Sequence, residues 1–169
     1  MEGMAVARGG LWLRSAMYVA LVVGLSNVLL LDVVDRGLLE PVRLAIAQAA
    51  GTVLALVSDD VRVLDQRVFL GSSAVEIANS CTGIDVGIFL ASAMLVFPAP
   101  WRSRAQGVLA AFAIVGVVNF LRVLTLCWLN ASSQAAFELV HVYIWPAFIT
   151  IVCLATLLLW IQLVPARNA

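Results

Sequence analysis

The chain has no lysine, and its ten arginines are matched by ten acidic residues, so net charge is zero. Charged residues make up 12% of the sequence, about half the usual share of a soluble domain. No basic cluster stands out, which excludes nucleic acid as the natural partner. With one histidine, a multi-histidine metal centre is excluded. Three cysteines form an odd set without paired spacing, so neither a disulfide framework nor a zinc site is indicated. No metal and no cofactor is expected. Gly-x-Ser-x-Gly and His-Glu-x-x-His are both missing, which argues against the familiar serine and zinc chemistries.

What fills the chain instead is apolar: 63% of its 169 residues are hydrophobic and the mean hydropathy is +1.06. This composition belongs to an all-α polytopic membrane protein, read as a single membrane-embedded domain over residues 1–169. A span needs about 20 mostly apolar residues. The uncharged run Ser15–Leu31 lies within a first span at about residues 11–31. It is expected to be retained, because Asp32 stands where a cleavage site of small residues would be needed. Ile84–Trp101, Ala105–Asn130 and Val142–Pro165 complete four spans. Leu44–Ser58 is uncharged but short, which predicts an embedded or interfacial helix, with a fifth span as the alternative.

Between Asp59 and Asn79 apolar residues alternate, at Val61/Val63, Val68/Leu70 and Val75/Ile77. Breaks fall at Asp65-Gln66 and Gly71-Ser72-Ser73. This pattern predicts a small hairpin or meander of short strands on the membrane surface. The short loop "PAPWRSRA" carries Arg102 and Arg104 and no acid, which places it in the cytoplasm with Arg8 and Arg14. The strands then lie outside the cell membrane. So do the start of the second span, the end of the third and the start of the fourth.

Three chemically capable residues converge at that outer level. Cys81 sits in "NSCTGID", where Thr82 as N-cap and Asp85 at the third helical position match a capping box, with Ser80 or Asn79 as other possible caps. A thiol at a helix N-terminus is favoured as thiolate. A buried inert thiol is the alternative. Cys127 and Cys153, inside apolar runs, read as packing groups. Arg122 lies about 27 Å along the third span, and Asn119 on the same face is placed to orient it. An arginine there suits stabilisation of an oxyanion, while snorkelling to the interface is the other reading. His141, in "HVYIWP", is the sole histidine and opens the fourth span. Trp145 and Tyr143 beside it fit an aromatic belt. A cysteine, a histidine and a cation together make an acyl-transfer set.

On these residues the chain resembles the exosortase/archaeosortase family. The shared pattern is Cys81-Thr82-Gly83, Asn119-Phe120-Leu121-Arg122 and His141, in that order and in matching apolar context over about residues 40–165. "FPAPWRSR" and "HVYIW" look most like the short exosortase H form. Thr82 departs from the serine or asparagine commoner there. The resemblance implies a multi-pass enzyme of the bacterial inner membrane, with its site on the periplasmic side. It would be a cysteine transpeptidase or protease acting on exported proteins. Their C-terminal sorting signal consists of a short motif, of Ile-Pro-Thr-Leu type in the exosortase H branch, then a transmembrane helix and a basic tail. Cys81 would form an acyl-thioester, Arg122 would hold the oxyanion and His141 would activate the thiol or protonate the leaving amine. The proton donor stays open between Arg122 and His141. The competing reading is a non-catalytic transporter subunit or assembly scaffold, with Arg122 paired to Asp85.

Overall fold

A computed structural model describes residues 2–164, with side chains from Trp12 onward. Arg8 and Pro165, which enter the expected orientation and the end of the fourth span, lie outside the described side chains. Helix α1 covers Glu2–Val28. It bends by 71° into α2, Asp32–Leu54, which takes a π-helical turn at Asp35–Leu39. Strands β1 (Val61–Leu64), β2 (Arg67–Leu70) and β3 (Ser73–Glu76) follow. A 3-10 turn at Asn79–Cys81 then leads into α3, Ile84–Val96. Helix α4, Trp101–Ser132, and α5, Gln134–Leu163, end the described chain.

The membrane reading holds, with changed boundaries. Among the described residues α4 and α5 are long and apolar enough to cross, and the bent pair from Trp12 to Leu54 is a further candidate. The expected span Ile84–Trp101 is not one helix: α3 has 13 residues, about 20 Å of rise against an apolar core of about 30 Å. Pro98 and Pro100 are the cause, since the residue before a proline is driven out of the α region. Phe97 is extended, at φ −63° and ψ 140°. Arg104 holds this turn by donating to the Ala99 and Leu95 carbonyls at 2.9 Å each, which satisfies the end of α3. Helix α5 starts well before the expected Val142. A single extended residue, Ser133, separates it from α4 and accepts from the Ala136 amide.

The strands form one antiparallel meander in the order β1-β2-β3. Val61, Val63, Val68, Val75 and Ile77 point to one side, where they meet Ala47, Ala50 and Leu54 of α2 and Val123 and Cys127 of α4. The other side carries exposed residues, including the Arg67–Glu76 ion pair. Alternation was legible because one sheet face is buried and the other is not. A second cluster joins Leu90 and Met94 of α3 to Ala111 and Val115 of α4, with Cys153 and Trp160 of α5 packed against it. Small residues allow the close approach: a Cβ added at Gly107 would fall 2.3 Å from the Trp160 indole nitrogen. Helix α4 is thus the central element, touching α2, α3, α5 and the meander.

Candidate active site

The Cys81 loop is fixed from both ends. Ile77 is fully buried and anchors the chain where β3 leaves the sheet. The Cys81 amide then donates to the Ala78 carbonyl at 2.9 Å, and the Thr82 amide to Asn79 at 3.0 Å. Thr82 is buried, and its hydroxyl donates to the Asn79 carbonyl at 2.8 Å. On the far side, the Asn119 side-chain amide donates to the Cys81 carbonyl. Gly83 has φ +75°, and a Cβ there would lie 3.1 Å from Asn119 Cβ and 3.2 Å from Val115. Glycine is required at that position twice over, for its left-handed backbone and for contact with α4.

The expected capping box does not form. The N-cap of α3 is Gly83, without a side-chain cap. The Thr82 hydroxyl is committed to the 3-10 turn and accepts from Ile84 N at a long 3.3 Å. Asp85 is exposed. Cys81 therefore precedes the first turn of α3 rather than belonging to it, and the dipole argument weakens accordingly. Among the described residues the ion pairs are Arg43–Asp35 and Arg67–Glu76. An Arg122–Asp85 pair is not formed.

Cys81 is half-buried and packs on the cluster containing Val123 and Cys127. Cys127 is 2% exposed, as a packing thiol should be, and it is a close neighbour of Cys81. Cys153 belongs to the second cluster. Asn119 is buried at 3% exposure and lies three residues before Arg122 on α4. Cys81's backbone is therefore level with the helix face that carries the arginine. Arg122 is half-buried, and its Nε is buried without a partner.

His141 lies inside α5, in a π-helical turn at Val140–Ile144, rather than at the helix start. Its ring stacks on Phe137, with centroids 5.4 Å apart and planes at 9°. Its Nδ1 is buried and unpartnered, as is Trp145 Nε1 one turn on. Counted from the Ser133 turn, Arg122 and His141 lie about 16 and 12 Å down adjacent antiparallel helices. Orphaned buried donors are rare, and π turns often mark functional positions. Among the described residues no group of acidic, cysteine and histidine side chains could hold a metal.

A second arginine was not singled out by its sequence. Arg43 of α2 is 7% exposed. It donates to both carboxylate oxygens of Asp35 at 2.8 and 3.1 Å, to Gln66 Oε1 at 2.8 Å, and to Asn79 Oδ1. The Asn79 amide donates to Asp35 at 3.3 Å. Asp35 stands at the polar start of α2.

With Cys81, Asn119, Arg122 and His141 so placed, the family comparison is decisive. A family model described as "Transmembrane exosortase" matches residues 3–161. The chain belongs to the transmembrane exosortase family. No curated protein and no solved structure matches it. Membership in the exosortase family accounts for the mostly helical chain with its long apolar helices.

Proposed function

We propose that this chain is a cysteine transpeptidase or protease of the bacterial inner membrane. It cleaves C-terminal sorting signals of exported proteins at the periplasmic face. The observation that carries the reading is the Asn119–Cys81 hydrogen bond. It ties the cysteine's backbone to the helix face of Arg122, whose Nε has no partner among the described residues. His141, also unpartnered at Nδ1 among the described residues, stands on the neighbouring helix.

The chemistry assigns each group one task. The Cys81 thiol gives up its proton and its sulfur attacks the scissile carbonyl, forming a C–S bond and a tetrahedral oxyanion. Arg122 faces that oxyanion with N–H donors that need no rearrangement. Collapse breaks the C–N bond, and the proton goes to the leaving amine, with His141 as its carrier. An acceptor nucleophile then attacks the thioester and restores the thiol. The scaffold reading rested on an Arg122–Asp85 pair, and its motivating contact is not formed.

Co-expression with a protein ending in a short motif, an apolar helix and a basic tail tests the proposal. Cys81→Ala should abolish processing, read as a mobility shift, while Cys127→Ala and Cys153→Ala should retain it. Equal loss in all three variants at equal protein levels would remove the special status of Cys81.

A further inference from the structure

The loop bearing Cys81 is held at Cys81 itself by Asn119 of α4, and at Asn79 by a group to which no role in the reaction has been given. Arg43 is an almost fully buried guanidinium whose donors go to three separate parts of the chain. Two meet the Asp35 carboxylate at 2.8 and 3.1 Å, in the π turn of α2. Nε meets Gln66 Oε1 at 2.8 Å, in the turn between β1 and β2. Nη1 meets Asn79 Oδ1. Asn79 is the first residue of the 3-10 turn that ends at Cys81. Its own carbonyl accepts from the Thr82 amide and hydroxyl, and its side-chain amide returns to Asp35 at 3.3 Å.

We propose that Arg43 is a positioning residue that sets the Cys81 loop, by clamping Asn79 to the π turn of α2 and to the strand meander. The inference deepens the reading of Cys81 as nucleophile and rests on it. Three features separate the clamp from ordinary surface pairing. The guanidinium side chain is 9% exposed, so water does not compete for its donors. The Asp35 contact is bidentate, which fixes orientation as well as distance. Asp35 opens the π turn of α2 and from there binds Arg43 and Asn79 together. Lysine at position 43 would keep the charge but could not hold this planar set of partners. With Asn119 at Cys81 and Arg43 at Asn79, the short turn that carries the nucleophile is held at its last and first residues. Loosening either grip moves the sulfur relative to Arg122, and a misplacement of about 1 Å can cost about 10²-fold in rate.

The test uses the full chain with Cys127→Ala and Cys153→Ala, so that Cys81 is the sole thiol, in detergent or liposomes. Two quantities are measured per folded molecule: the rate of Cys81 alkylation by iodoacetamide, and kcat and KM for a signal-bearing substrate. Arg43→Lys should raise alkylation at least about threefold, because the half-buried thiol is freed. It should lower kcat about tenfold or more with KM little changed, as expected for lost alignment. Asn79→Ala removes only the link to the loop and leaves Arg43 its Asp35 and Gln66 contacts. It should behave alike, and it decides the matter if Arg43→Lys fails to fold. Arg67→Ala, which breaks an exposed pair, should leave both quantities unchanged. If Arg43→Lys or Asn79→Ala lowers only the melting temperature, with alkylation and kcat at parental values, Arg43 is a structural tie and the proposal fails. If no variant and not the parent processes any substrate, the enzymatic reading fails, and alkylation alone still decides whether Arg43 sets the loop.

Discussion

The Asn119 side-chain amide donates a hydrogen bond to the main-chain carbonyl of Cys81 across the interface between α4 and the cysteine loop. Asn119 is buried at 3% exposure, so the bond has no water to replace it. Leaving a buried polar group unpaired costs about 1–3 kcal/mol, and the carbonyl of half-buried Cys81 sets the cost toward the lower end. Asn119→Ala should therefore lower both thermal stability and processing. Asn119→Asp is the sharper variant: an ionised carboxylate can only accept, and it would face the Cys81 carbonyl oxygen. Processing should fall further than in the alanine variant. If the aspartate variant processes substrate at the wild-type rate, the hydrogen bond does not govern the loop.

How much of this was legible in the sequence differs from element to element. The meander showed itself because Val61, Val63, Val68, Val75 and Ile77 share one buried face, and alternation records that directly. Cys81, Asn119 and Arg122 stood out as polar groups beside or within apolar runs, where each is costly enough to need a reason. Arg43 did not, because its partners lie 8, 23 and 36 residues away. No local spacing encodes such a meeting. The two π turns were equally silent, since one extra residue in a helical turn leaves the composition unchanged. The end of α3 was written in Pro98 and Pro100, but the apolar run continues through them and hydropathy alone passes over the break. The capping box had the right letters, yet Gly83 took the left-handed position and moved the helix start past Thr82.

Gly83 sets a second prediction. Its φ of +75° and the 3.1 Å that a Cβ would leave to Asn119 penalise any side chain. Strained left-handed backbone alone costs about 1–3 kcal/mol. Gly83→Ala should push the loop away from α4, break the Asn119 bond and cut processing at least as severely as Asn119→Ala. Because both changes act on one contact, their effects should not add. Full additivity in the double variant, measured as stability and as processing rate, would show that the two residues act separately.

Arg122 offers a third. Among the described residues the ion pairs leave Arg122 out, as an oxyanion-binding arginine requires, whereas a snorkelling arginine needs only its charge. Arg122→Lys keeps the charge and removes the fork of donors. Loss of one oxyanion donor costs about 10²–10³ in kcat, so the lysine variant should insert normally and process very slowly. Near wild-type processing by that variant would return Arg122 to the interface and leave the oxyanion without a named partner.

The fourth prediction concerns the side of the membrane on which the site opens. Helix α4 has 32 residues, about 48 Å of rise, long enough for its two ends to lie on opposite sides of an apolar core of about 30 Å. Arg102 and Arg104 stand at its start, which is the cytoplasmic signature. The Ser133 turn would then face the periplasm, with Cys81, Arg122 and His141 nearer that end. Single cysteines placed in a chain lacking its native thiols, and labelled with a membrane-impermeant maleimide in spheroplasts, read this directly. Ser103→Cys probes the start of α4. Gln134→Cys is the better probe at the other end, because the Ser133 hydroxyl caps α5 and losing a cap costs about 1 kcal/mol. Gln134→Cys should react in intact spheroplasts and Ser103→Cys only after permeabilisation. The reverse pattern would turn the Cys81 loop toward the cytoplasm, where no exported substrate arrives, and the sorting mechanism would fall with it.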